Sequence, residues 1–233
     1  MHLLLWLAIG MVTFAASAAA TPVYNTNVDP SHWVDSRSTG GNGLAGTGVW
    51  GTNFTLSWNI SATSVPNQLH YSYTFTWPQG APSHAIFELS EGCASATAGC
   101  VWGFLFDDDE LAPEEIDWGT FSAGPSNPNM PNPIYGVKIN RPESATGLTL
   151  EFYSNRLPVW GNFYSKDGRA GQSDDWNAAW NLGLTSAYAN SDDIINFVAR
   201  PDTVGIPPEI PEPGTMALMG LGLIGLGLWR RMR

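Results

Sequence analysis

The densest group of potential cation ligands is a run of carboxylates near the middle of the chain. Seven acidic side chains fall within eleven positions: Asp107, Asp108, Asp109, Glu110, Glu114, Glu115 and Asp117. Their hard oxygens could hold Ca²⁺, which takes about six to eight oxygen ligands. The spacing departs from an EF-hand loop, because the Gly and Glu that such a loop requires do not follow. We expect a solvated acidic loop at 107–117, with calcium binding as the alternative, and we assign no metal or cofactor.

Aromatic residues offer a second kind of chemistry. The chain has 11 Trp, and Trp160, Trp176 and Trp180 could form a flat platform on which sugar rings stack. In a Trp-rich β-protein, however, most tryptophans pack in the core. A carbohydrate-binding module is therefore an alternative interpretation, which solvent-exposed, coplanar Trp would favour.

Catalytic motifs are not evident in the sequence. The chain contains no G-x-S-x-G elbow, H-E-x-x-H motif or P-loop, and nothing links His32, His70 or His84 to a nucleophile. Acidic residues are so abundant that close pairs of the glycosidase type would arise without function. We expect no enzyme. A secreted hydrolase is the second alternative, and it would need a cleft with two carboxylates about 5–10 Å apart.

The charge balance argues against nucleic-acid binding. The chain has 10 basic and 21 acidic residues, a formal net charge of −11. Such a surface repels phosphate backbones. An acidic surface also keeps a protein soluble outside the cell.

Two cysteines indicate an oxidising compartment. Cys93 and Cys100 are the only ones in the chain. In an exported protein, two nearby cysteines most often pair. We therefore predict a disulfide that closes a small loop between two strands.

Period-two alternation identifies the elements that must position any site. In residues 53–61, Phe54, Leu56, Trp58 and Ile60 alternate with polar side chains, and residues 69–77 repeat the pattern. A turn at 65–68 between these two strands predicts an antiparallel hairpin. Further strands are predicted at 85–89, 101–106, 134–140, 148–153, 159–164 and 194–199.

The remaining segments connect these strands. Residues 166–168 are predicted as a turn that follows strand 159–164, and residues 122–133 as an exposed low-complexity loop. Residues 174–184 fit either a short helix or a strand. Short strands separated by Gly, Pro and Asn predict an all-β antiparallel β-sandwich over residues 21–205, with a jelly roll as one open topology.

The first 20 residues have the layout of a secretory signal peptide. An apolar run from Leu3 to Phe14 precedes small residues, and Ala18 and Ala20 provide a cleavage site before Thr21. No Lys or Arg precedes the apolar run, which departs from the usual pattern. We predict a signal helix at 1–20 and export of the chain.

The other end of the chain has the composition of a membrane anchor. A Pro-rich spacer at 206–214 leads into an uncharged run, and a transmembrane helix is predicted at 215–229. At 1.5 Å per residue this helix is about 22 Å long, which is short for a bilayer core of about 30 Å. Arg230, Arg231 and Arg233 in the basic tail should stop transfer and stay cytoplasmic.

The order of these features resembles a known signal. Pro211-Glu212-Pro213, a short Gly- and Leu-rich helix and a terminal Arg cluster resemble the PEP-CTERM sorting signal over about residues 210–233. The resemblance implies a Gram-negative bacterium that makes exopolysaccharide. It also implies that a membrane protease-transpeptidase, exosortase, recognises Pro211, Glu212 and Pro213 and removes the tail. Residues 157–168 resemble, more loosely, a segment that recurs in the ectodomains of such proteins. A plain C-terminal membrane anchor is the alternative.

Together these features predict a non-catalytic exported protein. It would sit in the inner membrane until exosortase processes it, and then join the cell surface or extracellular matrix. The resemblance implies a biofilm or exopolysaccharide role, with exosortase, the membrane and exopolysaccharide as partners.

Overall fold

A computed structural model of the chain describes residues 21–90, 92–93, 95–140, 147–167 and 176–205, with side chains described up to 202 in the last range. The predicted signal peptide at 1–20, the spacer at 206–214 and the helix and basic tail at 215–233 lie outside these residues.

Strands dominate the described part of the chain. In chain order they are β1 (Val34–Ser38), β2 (Leu44–Thr47), β3 (Thr55–Ala62), β4 (Leu69–Thr76), β5 (Pro82–Glu88), β6 (Val101–Phe106), β7 (Asp109–Glu110), β8 (Ile116–Phe121), β9 (Ile134–Ile139), β10 (Gly147–Ser154), β11 (Arg156–Gly161), β12 (Phe163–Asp167), β13 (Ala178–Asn181) and β14 (Val198–Gly205). One short helix, α1 (Trp50–Asn53), and 3-10 turns at Pro30–His32, Pro113–Glu115, Leu182–Leu184 and Ile194–Asn196 complete the elements.

The strands form two six-stranded antiparallel sheets and a two-stranded ribbon. The first sheet has the order β1-β3-β4-β10-β6-β7, and the second has the order β2-β13-β12-β5-β9-β8. The ribbon pairs β11 with β14. This arrangement confirms an all-β, sandwich-like fold.

Aromatic side chains fill the space between the two sheets. The alternating residues of β3 and β4 point inward as predicted, and Tyr73 of β4 contacts Phe87 of β5 with ring centroids 4.4 Å apart. Phe163 of β12 packs against Phe87 at 5.3 Å and against Phe75 of β4 at 5.8 Å. Burial of apolar surface of this extent is the main stabilising contribution to the fold.

The N-terminal segment completes the ribbon on its open side. Val28 donates its backbone N–H to Pro158 O, and Asn25 donates to Trp160 O. Residues 25–28 therefore pair with β11 on the edge opposite β14. This pairing fixes the position of Tyr24 and Asn25 relative to the rest of the fold.

Several predicted boundaries were wrong. The predicted strand 159–164 is two strands, because the chain passes from the ribbon into the second sheet at Asn162. Lys166 and Asp167, predicted as part of a turn, are the last residues of β12. The described part of 174–184 forms β13 and a 3-10 turn, which agrees with the strand alternative, and 194–199 begins as a 3-10 turn.

The sequence predicted that the low-complexity loop at 122–133 is exposed, but part of it is buried. Met130 and Asn127 are buried, and Pro128 O accepts a hydrogen bond of 2.6 Å from the Tyr164 hydroxyl. The loop covers a small apolar cluster around Ile86, Tyr164 and Ala178.

The predicted disulfide between Cys93 and Cys100 is confirmed, with Cα atoms 5.3 Å apart. The bond lies where the chain crosses from β5 in the second sheet to β6 in the first. Both cysteines are buried in the main core.

Candidate functional site

The three tryptophans predicted as a sugar platform do not share one exposed face. Trp160 is only 2% exposed, and its ring packs edge-to-face on Trp58 with the Arg37 guanidinium 5.5 Å away. Its position in β11, between the N-terminal segment and β14, explains this burial. The platform prediction was therefore wrong for Trp160.

Trp180 lies in β13 and Trp176 lies two residues before that strand, and both are partly buried. Trp180 packs against the apolar cluster beneath the 122–133 loop. The ammonium group of Lys166 lies 4.6 Å from the centre of the Trp176 ring. This cation–π contact occupies one face of the ring.

The acidic run at 107–117 makes structural contacts. Asp107 and Asp108 both have positive φ and form the tight turn between β6 and β7. Asp107 Oδ1 accepts from the Thr149 backbone N–H at 2.7 Å, and Asp117 Oδ2 lies 3.8 Å from Lys138 Nζ. Within the described residues, no group of three or more His, Cys, Asp or Glu side chains is placed to hold a metal ion.

His84 is buried on the outer face of the second sheet, beneath the 122–133 loop. Burial lowers the pKa of its imidazole to about 3, and the ammonium groups of Lys138 and Lys166 act in the same direction. Its Nδ1 lies 3.3 Å from the Ser83 hydroxyl. The ring is therefore neutral at physiological pH and serves as a packing group, 6.1 Å from the Tyr164 ring.

A polar pocket lies between the N-terminal segment, the end of β5, β9 and β14. Its volume is about 340 Å³, and it is lined by Tyr24, Asn25, Glu88, Leu89, Ser90, Tyr135 and Arg200. A groove of about 500 Å³ beside the β3–β4 turn is larger, but its lining includes no charged side chain. The polar pocket is the candidate site because it joins aromatic rings to converging polar groups.

The base of the polar pocket is a buried guanidinium. Arg200 is 0% exposed, and a buried charge of this kind must be paired and hydrogen-bonded. Its Nη2 atom donates to Glu88 Oε1 at 3.2 Å and to Asn25 Oδ1, and its Nη1 atom donates to Ser90 Oγ at 2.8 Å and to Pro201 O at 3.0 Å. Asp202 Oδ1 lies 4.0 Å from Nη1 and adds a second negative charge.

Two glycines allow this arrangement. The Arg200 side chain crosses directly over Gly161, where a Cβ atom would lie 2.1 Å from Nε. At Gly136, a Cβ atom would lie 2.0 Å from the carbonyl oxygen of Phe87. Side chains at these positions would therefore displace the guanidinium or separate β9 from β5.

The N-terminal segment supplies the upper wall of the pocket. The Tyr24 hydroxyl donates to Glu88 Oε1, and the other carboxylate oxygen accepts from the Asn162 backbone N–H at 2.9 Å. Burial, together with the Glu88 charge, raises the pKa of the Tyr24 phenol well above its usual value. The phenol therefore remains protonated and the carboxylate is held by three donors.

None of the residues that line this pocket was predicted from the sequence to be functional. Tyr24 and Glu88 are 64 positions apart, and Glu88 and Arg200 are 112 apart, so no local motif connects them. One signal was available: Arg200 ends an apolar run that begins at Phe197. A lone charge in such a run indicates a buried ion that needs a partner.

None of the helices in the described ranges is long and apolar enough to cross a membrane. No curated protein and no solved structure matches the chain. Residues 209–231 match the family model of the PEP-CTERM protein-sorting motif, which agrees with the tripeptide, apolar run and arginines of the sequence. The chain therefore carries a PEP-CTERM protein-sorting motif at its C-terminus, which implies an exported, membrane-sorted protein that exosortase processes.

Proposed function

We propose that this chain is a non-catalytic surface or matrix protein that acts in the exopolysaccharide of a biofilm after exosortase processing. The observation that carries the proposal is the sorting motif at 209–231, which follows directly on the folded β-sandwich. The Cys93–Cys100 disulfide and the net charge of −11 suit a protein that works outside the cytoplasm.

The short segment between the folded domain and the predicted membrane helix limits how far the domain can lie from the membrane before processing. Strand β14 ends at Gly205, and nine residues separate it from the predicted membrane helix at 215–229. Even fully extended, this spacer reaches only about 30 Å. The β-sandwich would therefore sit close to the membrane surface until processing releases it.

The carboxylates around Arg200 are arranged for ion pairing. Glycoside hydrolysis needs one carboxyl group as a proton donor and a second as base or nucleophile. Glu88 and Asp202 instead flank one buried guanidinium, at 3.2 Å and 4.0 Å. This arrangement supports a binding or structural role over a hydrolase.

The test follows the protein through an exopolysaccharide-producing host that has a matching exosortase. Wild type is expected in the matrix fraction, whereas Glu212→Ala should remain in the inner membrane. Glu209→Ala is the matched control, because it removes the same charge outside the tripeptide, and it should behave as wild type. Retention in the matrix should also fall in a strain that cannot make exopolysaccharide. Wild type that stays in the inner membrane, or matrix retention that is unchanged without exopolysaccharide, would contradict the proposal.

A further inference from the structure

The pocket lined by Tyr24, Asn25, Glu88, Tyr135 and Arg200 has the composition of a sugar subsite. We propose that it binds a neutral sugar residue of a polysaccharide, stacked on Tyr135 and hydrogen-bonded by the N-terminal segment. A volume of about 340 Å³ lies at the lower end of ligand pockets, which suits one or two sugar rings.

Tyr135 provides the stacking surface. It is 39% exposed although it lies in β9, between β5 and the edge strand β8 of the second sheet, where Ile134 and Val137 are buried. An exposed ring that also lines a pocket can cover the apolar face of a sugar. Its backbone is fixed, because its carbonyl oxygen accepts from the Leu89 N–H at 3.0 Å.

Asn25 provides a directed donor. A guanidinium only donates hydrogen bonds, so the Asn25 amide must turn its oxygen toward Arg200 and its NH₂ group away from it. Within the described residues this NH₂ group has no partner. Asn25 also has a φ of 62°, a left-handed conformation that the pairing of residues 25–28 with β11 holds in place. Next to it, the Tyr24 hydroxyl donates to Glu88 and accepts from Arg200, which leaves its oxygen one lone pair for a ligand hydroxyl.

The local charge selects against anions. One guanidinium faces two carboxylates, that of Glu88 in the pocket and that of Asp202, which does not line it, so the three groups together carry a net negative charge. The whole chain has a formal net charge of −11. A uronate or phosphorylated sugar would be repelled, whereas a neutral sugar would not.

This inference rests on the proposed function, because a matrix location brings the pocket to polysaccharide. The proposed matrix function and the proposed sugar binding can fail separately. Sorting is tested by fractionation of cells, whereas sugar binding is tested with purified protein.

The experiment measures calorimetric binding of hexamers to the full chain, purified in a detergent that has no sugar headgroup. The neutral probes are hexamers of β-linked glucose, mannose and galactose, and the anionic probe is a galacturonate hexamer. Tyr135→Ala removes the stacking ring. Tyr188→Ala is the matched control, because Tyr188 is 44% exposed and does not line this pocket.

At least one neutral hexamer should bind at millimolar concentration, and galacturonate should bind less well. Tyr135→Ala should weaken that binding about tenfold, while Tyr188→Ala leaves it unchanged. The proposal is overturned if no neutral hexamer binds, if the two variants bind alike, or if galacturonate binds more tightly than every neutral probe.

Discussion

Replacement of His84 by Gln should make the protein less sensitive to acid. In the folded state burial keeps this imidazole neutral, with its pKa lowered from 6.5 to about 3. Unfolding exposes the ring and lets it take up a proton below pH 6.5. The wild-type protein therefore has its full stability above that pH and loses part of it as the pH falls toward 3.

The size of the effect follows from the two pKa values. Between pH 7.5 and pH 5, proton uptake by the unfolded state lowers the free energy of unfolding by about 2 kcal/mol. Any folded-state pKa below about 4 gives nearly the same value, because the folded ring is then almost entirely neutral at pH 5. Gln is polar but does not titrate, so the variant lacks this contribution.

The assay is urea unfolding of wild type and His84→Gln at pH 7.5 and pH 5. The substitution also changes packing at both pH values, so the quantity of interest is how the difference in the free energy of unfolding between variant and wild type changes with pH. It should shift by about 2 kcal/mol in favour of the variant at pH 5. His70→Gln is the matched control, since His70 lies on β4 with its ring 3.4 Å from Glu151 and its side chain 28% exposed. If His84→Gln and wild type lose stability in parallel, His84 is not held neutral by its surroundings and the reasoning is refuted.

Two further predictions concern the framework. Replacement of Cys93 and Cys100 together by Ser opens a loop of sequence separation 7 and should lower the free energy of unfolding by about 2–3 kcal/mol in calorimetry. In reductant, the wild-type protein should have the same free energy of unfolding as the double variant. If the variant is as stable as the oxidised wild type, the disulfide contributes nothing to stability. Gly136→Ala should cost about 1–3 kcal/mol, because its Cβ would meet Phe87 O at 2.0 Å. Gly124→Ala, which has nothing within 4 Å, should change stability by less than about 0.5 kcal/mol, and equal effects of the two substitutions would contradict the close approach of β9 and β5.

The long strands could be predicted because one face of each is buried. In β3, Leu56, Trp58 and Ile60 lie in the core while Ser57 and Asn59 face away from it, which is the alternation that the sequence displays. The turn between β3 and β4 was equally clear from Pro66 and Asn67, and Asn67 takes a positive φ.

The short strands carried too little pattern to be predicted. Strand β2 is Leu-Ala-Gly-Thr and β13 is Ala-Ala-Trp-Asn, so neither contains an extended alternation. Each is a strand because its neighbours pair with it: β13 lies between β12 and β2. The division of 159–164 at Asn162 likewise depends on tertiary contacts, since Glu88 pairs with the Asn162 backbone through both its N–H and its carboxylate.

The polar pocket depends on contacts that no local pattern encodes. Its residues come from the N-terminal segment, from the end of β5, from β9 and from β14, and they meet only because the ribbon closes against the second sheet. The sorting motif is the opposite case, because its tripeptide, apolar run and arginines are contiguous in the sequence. It was therefore recognisable without any structure.

The central claim is that exosortase processes this chain at its C-terminus. The most direct test is the mass of the mature protein from a host with a matching exosortase, for wild type, Glu212→Ala and Glu209→Ala. Wild type and Glu209→Ala should lack everything beyond about residue 213, while Glu212→Ala keeps its tail. If wild type also keeps residues 214–233, the Pro-Glu-Pro segment is only a linker and the processing claim is wrong.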